Sequence, residues 1–369
     1  MGLSLPQLQQ LCENLTHGAP MSNNISPTPA HPAVPAAEDD AVPALADRCG
    51  WIISDGKAGN DTQSRGVFDA LGLDYLVKRV DPSGIWKLMS PWGPVAPAER
   101  FGTPASPFHP PWPDFAIAVG RLTTPYIRRL KRLAGRATYT IILLDPKVGA
   151  DAADLFWVPA HDRLRGPNVV TTVTAPHSFT ARRLAELRRS MPPEIAALPT
   201  PRVAVSIGGP NGDYRFPPAV LAHLAGALRS LAALGAGLMI TPSRRTPAEI
   251  AAFVREATEG ARRWLWDGSG ENPYPAFLAH ADAFIATGDS VNMVGEPCAT
   301  GRPVWVLEPE GGSPKFARFH AALAHHGATR PLPARFEHLE TWSYVPLNSA
   351  EAIAAEIARR WSKRREMLG

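Results

Sequence analysis

Residues 284–306 read Phe284-Ile-Ala-Thr-Gly-Asp-Ser-Val-Asn-Met-Val-Gly-Glu-Pro-Cys-Ala-Thr-Gly-Arg-Pro-Val-Trp-Val306. Short apolar runs at both ends predict two buried strands. Between them lie a loop of small polar residues and a short helix carrying a glutamate on its inner side. Buried strands joined by a helix are the repeating unit of a parallel sheet. This layout places Gly288, Asp289, Ser290 and Asn292 at a helix N-terminus, where free N–H groups and the helix dipole favour a phosphate or another anion. Met293 belongs to the same turn. One turn on, Glu296 stands where a carboxylate can accept hydrogen bonds from a ribose diol. A nucleotide-sugar site needs both capacities side by side.

The same rhythm extends outward. Apolar strands are expected at 203–207, 237–241, 263–266, 283–286 and 304–307, with helices between, and a helix closes the chain from about 350 to 367. The first half repeats the pattern, starting at Cys49-Gly-Trp-Ile-Ile-Ser. Further strands are expected near 75–80, 115–119, 139–144, 156–158 and 169–173. Helical patterns lie at 61–71, 123–134 and 178–190. Strands alternating with helices of 10–15 residues predict parallel sheets covered on both faces. We therefore expect an α/β protein of two Rossmann-like domains facing across a cleft, with ligands at the carboxyl ends of the strands. The domains read as 47–195 and 201–347, separated by the prolines of 191–201, with a C-terminal helix over 348–369. Residues 1–46 read as a Pro/Ala-rich disordered tail. Residues 82–113 read as an insertion with many prolines and Trp86, Trp92, Phe101, Phe108 and Trp112. It is either an aromatic flap for a lipid-like acceptor or a lid packed on the core.

Composition narrows the function classes. The 369 residues carry a formal charge of +4, which permits an acidic ligand without demanding one. Three cysteines without metal-ligand spacing argue against a disulfide framework or a zinc site. No apolar run is long enough to cross a bilayer. Basic helices, including Arg128, Arg129, Lys131 and Arg132, read as solvated faces that also suit an anionic membrane surface. Nucleic acid is not an expected partner, because no basic sheet interleaved with aromatics is present.

Three further loops follow strands. In Ser54-Asp-Gly-Lys-Ala-Gly-Asn60, Asp55 sits where a general base would face the cleft. Gly56, Lys57, Gly59, Asn60 and Gln63 surround it as candidate acceptor-binding residues, although Asp55 or Asn60 capping the helix is an equal reading. Ile207-Gly-Gly-Pro-Asn211 offers Gly208, Gly209 and Asn211 for close backbone approach to a phosphate, or an ordinary turn. In Thr241-Pro-Ser-Arg-Arg245, Ser243, Arg244 and Arg245 suit a diphosphate, with Thr241 at the strand end. His161 and His177 end apolar segments and are alternative proton acceptors.

These motifs resemble the bacterial branch of the mitochondrial-fission, elongated-mitochondria protein family. The resemblance rests on Trp51-Ile-Ile-Ser-Asp-Gly-Lys-Ala-Gly-Asn-Asp-Thr-Gln63, His161-Asp162 with Gly166-Pro-Asn-Val169, and Ile207-Gly-Gly-Pro210. Ser243-Arg-Arg-Thr246 and Thr287-Gly-Asp-Ser-Val-Asn-Met-Val-Gly-Glu296 complete it. It spans roughly 49–332 and implies a GT-B-like fold whose second domain holds a donor nucleotide. By the same resemblance Glu296 contacts ribose, while Gly208, Gly209, Ser243, Arg244, Ser290 and Asn292 surround the diphosphate.

The resulting expectation is a metal-independent glycosyltransferase without a bound cofactor. It would move a sugar from a nucleotide-diphospho-sugar to a cell-envelope or lipid-linked acceptor, in the cytoplasm or peripherally on the inner face of the cytoplasmic membrane. The alternatives are a non-catalytic membrane-associated scaffold and a sugar-nucleotide epimerase.

Overall fold

A computed structural model describes residue 45, residues 47–103 and residues 106–367. The expected tail falls outside these residues apart from its last positions, where Leu45 packs against the first core. The chain divides into two compact units. One runs up to Thr180 and is completed by the segment from Asn348 onward; the other is Ala181–Leu347. The helix Ala181–Arg188, read above with the first domain, thus falls in the second unit. The C-terminal helix Ser349–Glu366 falls in the first.

The first unit is built on six strands: β1 Cys49–Ser54, β2 Asp74–Arg79, β3 Phe115–Val119, β4 Tyr139–Leu143, β5 Leu155–Pro159 and β6 Val169–Thr172. They pair in parallel in the order β2-β1-β3-β4-β5-β6. Alternate residues feed two cores. Ile52, Ile117, Ile141, Leu143 and Trp157 face the helix Ala58–Leu71 and the C-terminal helix, through Val67, Phe68, Ile353, Ile357 and Trp361. Trp51, Ile53, Ala118, Ile142 and Phe156 face the helix Thr124–Ala134, through Tyr126, Ile127 and Leu130. The period of two is what a parallel sheet buried on both faces requires.

The 82–113 insertion is not structureless: it holds a six-residue helix, Gly84–Met89, and a 3-10 turn, Pro97–Glu99. Its second half is a lid on the core. Phe108 is fully buried, stacks on Phe101 with ring centroids 4.3 Å apart, and packs beside Trp51 and Tyr126. Its first half points outward, with Ile85 61%, Leu88 76% and Trp92 65% exposed.

The second unit repeats the plan with β7 Arg202–Ile207, β9 Gly237–Pro242, β10 Arg263–Leu265, β11 Ala283–Thr287, β12 Val304–Leu307 and β14 Thr329–Pro331. A two-residue ladder, β8 Tyr214–Arg215 with β13 Glu310–Gly311, lies beside the main sheet. The main order is β10-β9-β7-β11-β12-β14, all parallel. Numbered within the unit this is 3-2-1-4-5-6, the order of dinucleotide-binding Rossmann sheets. Two Rossmann-like parallel sheets, as the sequence predicts, make up the fold. The short edge strand β14 and the β8/β13 ladder left no apolar run and were not anticipated.

Candidate functional site

In a doubly wound sheet the strand order reverses at one point, and the loops on either side splay apart to leave a crevice. In the second unit that point lies between β7 and β11, so it joins the 208–213 loop to the 288–290 loop. Asp289 holds them together, with its side chain fully buried. Its Oδ2 accepts from the Gly209 amide at 3.2 Å and from Arg245 Nη2 at 2.8 Å. Its Oδ1 accepts from Thr287 Oγ1 at 2.6 Å. Thr287 Oγ1 in turn accepts from the Gly208 amide at 2.8 Å. Asn211 Nδ2 donates to the Asp289 carbonyl at 3.1 Å, and Asn211 Oδ1 receives the amides of Asp213 and Tyr214.

Two glycines are required here by space. A Cβ on Gly208 would fall 2.1 Å from Asp289 Oδ2, and one on Gly209 would fall 2.2 Å from the Arg245 carbonyl oxygen. Both glycine amides are engaged by the protein itself. They build the crevice rather than point into it.

The 243–247 loop, next along the edge, is a hydroxyl-bonded turn. Ser243 N donates to Thr246 Oγ1 at 2.8 Å, and Thr246 Oγ1 donates to the Ile207 carbonyl at 2.7 Å. Thr241 is buried at the end of β9. Arg245 turns inward to Asp289 and to the Gly209 carbonyl. Arg244 is exposed and has no hydrogen-bond or ion-pair partner among the described residues. The two adjacent arginines therefore divide their roles, one structural and one open to an anion.

Beyond β11, Ser290 caps the five-residue helix Val291–Gly295 by accepting from Met293 N at 3.5 Å. Asn292 accepts the Glu296 amide at 2.8 Å. His320 braces the loop from the helix Pro314–His325, with Nε2 3.0 Å from the Gly288 carbonyl. Glu296 lies where this helix passes into a 3-10 turn, Pro297–Thr300. Burial pushes its carboxyl up to about 7, opposed in part by the neighbouring Tyr274.

Tyr274 opens the helix Tyr274–His280. Its neighbours Pro273, Pro275 and Ala276 line a groove of about 580 Å³ beyond the end of β10, with Trp264, Trp266, Asp267, Ser269 and Asn272. Trp266 Nε1 donates to the Ser269 carbonyl at 2.7 Å. Ser269 N and Oγ both donate to Asp267 Oδ1. From β10 to β11 is three strand steps, about 14 Å at ~4.8 Å each. The groove, the arginine loop and the Asp289 crevice therefore form one row along the carboxyl edge.

In the first unit the order reverses between β1 and β3, and the Asp55 loop sits there. Asp55 binds Lys57 Nζ at 2.9 Å, Asn60 Nδ2 at 3.1 Å and the Lys57 amide at 3.3 Å. Burial acts to raise its carboxyl, but the contacts with Lys57 and Asn60 outweigh burial and hold it below the usual range. The helix begins at Ala58, with Lys57 as its N-cap residue and no side-chain cap, so neither Asp55 nor Asn60 holds the N-cap position. Gly56 takes a left-handed φ of 80° and donates its amide to Ser54 Oγ at 3.0 Å. Gly59 has open space around it.

The two histidines do not join Asp55 in one cluster. His161 lies past the end of β5, three strand steps from β1, again about 14 Å. His177 is buried against Gly66 of the Ala58–Leu71 helix. Its Nδ1 accepts from Phe179 N at 3.3 Å, and burial pushes the imidazole down to about 4. Its Nε2 and the nearby helix residue's Gln63 Oε1 are buried without a hydrogen-bond partner among the described residues.

Sequence reasoning missed Thr287, Thr246, His320 and Tyr274. The first two carried a signal, a hydroxyl at or just past a strand's carboxyl end. His320 and Tyr274 come from helices remote in sequence and carried none.

The fold and the row of strand-end loops define a protein of tandem Rossmann-like units, each with its crevice at the topological switch. The chain matches the family model described as Mitochondrial fission ELM1 over residues 58–361. It belongs to that family. It is 30% identical over 281 residues to the mitochondrial fission protein ELM1 of Arabidopsis thaliana, covering 68% of this chain and 66% of that protein. Among solved structures, a UDP-GlcNAc 2-epimerase from Methanocaldococcus jannaschii is similar at a TM-score of 0.48 and 9% identity, covering 85% of this chain and 99% of its own. MurG of Acinetobacter baumannii is similar at 0.43 and 14% identity, covering 85% and 95%.

Proposed function

We propose that this chain binds a nucleotide-diphospho-sugar in its second unit and transfers the sugar to a lipid-linked or cell-envelope acceptor. The observation that carries the reading is the row on the carboxyl edge of the second sheet. A groove with aromatic and proline walls suits a base. A carboxylate with depressed acidity, Glu296, suits a ribose diol. Arg244 and the Ser290-capped loop suit a diphosphate.

In the transfer, an acceptor hydroxyl oxygen bonds to the anomeric carbon as the bond to the diphosphate oxygen breaks. The diphosphate leaves with that electron pair, and its charge is met by Arg244. We assign the acceptor proton to Asp55. Lys57 and Asn60 keep that carboxylate ionised and fix its direction, so it is in the accepting form at neutral pH. Its low basicity makes proton transfer favourable only as the sugar–phosphate bond breaks.

The exposed apolar face Ile85, Leu88 and Trp92 supports a peripheral site on an anionic membrane. Arg128 binds the carbonyls of Pro91 and Trp92, and Arg121 binds that of Ser90. Cations therefore stand beside the apolar side chains, the pairing that suits an acidic bilayer surface. No helix among the described residues is long and apolar enough to cross a membrane.

The test is a thermal-shift screen of the full chain against UDP, GDP, ADP and CMP and their sugar conjugates. One nucleotide should raise the melting temperature in a concentration-dependent way. Glu296→Ala should abolish the rise, while Asp55→Asn should keep it and lose transfer. No rise with any nucleotide, in a protein that melts cooperatively, favours a scaffold. Interconversion of the bound sugar without an acceptor favours an epimerase.

A further inference from the structure

The end of the first sheet away from the Asp55 loop carries a cavity that the proposed transfer does not use. It measures about 410 Å³ and is lined by Lys131, Gly135, Arg136, Asp154, Arg364 and Met367. Lys131 and Arg364 come from the last turns of the helices Thr124–Ala134 and Ser349–Glu366. Gly135 and Arg136 lead into β4, and Asp154 directly precedes β5, so the cavity lies at the amino ends of the strands. Its size falls in the range of small-ligand sites, about 300–1,000 Å³.

Asp154 fixes the arrangement. Its Oδ2 accepts from the amide and the hydroxyl of Thr140, each at 2.8 Å, and pairs with Arg364 Nη1 at 3.3 Å. Its Oδ1 pairs with Lys131 Nζ at 3.3 Å. Lys131 also donates to the Asp151 carbonyl at 2.9 Å, and Arg364 to the Gly135 carbonyl at 3.3 Å. The Arg364 guanidinium lies over the Tyr139 ring, 5.6 Å from its centroid. Two cations are thus held where Arg364 keeps 15% and Lys131 28% of its side-chain surface exposed. Arg136 adds a third, exposed cation with no hydrogen-bond or ion-pair partner among the described residues. Asp154 is the one acid among the described lining residues, so the cavity carries two positive charges in excess. Half-buried charge in excess is costly unless an anion meets it.

We propose that this cavity binds the phosphate of a phosphomonoester presented by an acidic membrane lipid. Charge selects the ligand. A phosphomonoester carries nearly two negative charges at pH 7, which matches the excess, whereas a phosphodiester carries one and leaves a cation unmet. Arginine pairs with phosphate oxygens through two parallel N–H bonds, and lysine adds a point charge. Position selects the source, and this part rests on the membrane-face reading. Arg128, which binds the carbonyls of Pro91 and Trp92, stands three residues before Lys131 and so on the same side of the helix. From Arg128 to the helix end at Ala134 is about 9 Å. A bilayer that takes up Leu88 and Trp92 brings its phosphates within reach of the cavity.

The experiment is co-sedimentation of the full chain with phosphatidylcholine vesicles carrying either phosphatidic acid or phosphatidylglycerol at equal surface charge. Calorimetric titration with glycerol phosphate runs beside it. The wild type should favour phosphatidic acid about fivefold, the worth of one further charge pair at a membrane surface. Arg136→Glu should abolish that preference and leave the melting temperature unchanged, because Arg136 has no partner to lose. Lys131→Gln should reduce the preference as well. Leu88→Asp with Trp92→Ser should instead weaken binding to both lipids and leave the glycerol phosphate titration intact. An equal loss for both lipids in Arg136→Glu would indicate general surface charge and overturn the site. So would a preference that neither cavity variant changes. A wild type that sediments with neither lipid, yet binds glycerol phosphate in an Arg136-dependent way, overturns the membrane source and keeps the phosphate site for a soluble ligand. Binding to neither lipid nor glycerol phosphate overturns the proposal as a whole.

Discussion

The guanidinium of Arg245 lies 2.8 Å from Oδ2 of Asp289, a carboxylate with no exposed side-chain surface, although the two residues are 44 positions apart. That pair, with Thr287 and the Gly209 amide, locks the loops after β7, β9 and β11 into one crevice. An anion arriving at the crevice meets Arg244 rather than Arg245, because Arg245 is already neutralised.

Asp289→Asn should destabilise the protein by about 2–4 kcal/mol, because it leaves Arg245 facing an amide and weakens two further buried hydrogen bonds. Equilibrium urea unfolding measures this. A loss under about 0.5 kcal/mol would mean the carboxylate is not the joint described here.

Gly209→Ala inserts a methyl 2.2 Å from the Arg245 carbonyl, a backbone atom that cannot swing aside. The expected cost is about 1–3 kcal/mol of overpacking, together with weakened nucleotide affinity as the arginine loop shifts. Gly212→Ala is the control, since nothing lies near its added methyl. Equal effects of the two would remove the close-approach argument.

His177 gives the protein a pH dependence whose sign follows from its burial. Its folded value is about 4, below the ~6.5 of an unfolded histidine. Between these values the unfolded chain binds more protons, so folding stability falls as the pH drops through this window. The contribution is complete above about pH 6.5 and gone below about 4. A shift of this size is worth about 3 kcal/mol. Chemical unfolding at pH 7 and at pH 5 should show a smaller difference for His177→Gln than for the wild type. An unchanged difference would mean other groups carry the slope.

Leu88→Asp combined with Trp92→Ser should weaken binding to phosphatidylglycerol vesicles at least tenfold, since burying each large apolar side chain contributes about 1.5–3 kcal/mol. Vesicle co-sedimentation reads it. The nucleotide-induced rise in melting temperature should be unaffected. Equal co-sedimentation of variant and wild type would remove the membrane face from the proposal.

Much of this was legible in the chain. Phe115–Val119, Tyr139–Leu143 and Val304–Leu307 are apolar throughout, and only a sheet covered on both faces buries such runs. The Ser54–Asn60, Ile207–Asn211 and Thr287–Asn292 loops announced themselves by small polar residues after such strands. The aromatic insertion was less legible. Phe101, Phe108 and Trp112 look the same in sequence as Ile85, Leu88 and Trp92, yet the first group packs on Trp51 and Tyr126 while the second stands in solvent.

The sequence alone determined the two parallel sheets, because hydrophobic period and loop chemistry are local properties written in neighbouring residues. It also determined which loops carry polar side chains at strand ends. Only the tertiary structure decided what those side chains do. It turned Arg245 inward and left Arg244 outward, engaged the glycine amides with Asp289 and Thr287, and set Tyr274 against Glu296. Each of those choices depends on strand order, and strand order brings together segments from 22 to 80 residues apart whose pairing no local pattern records.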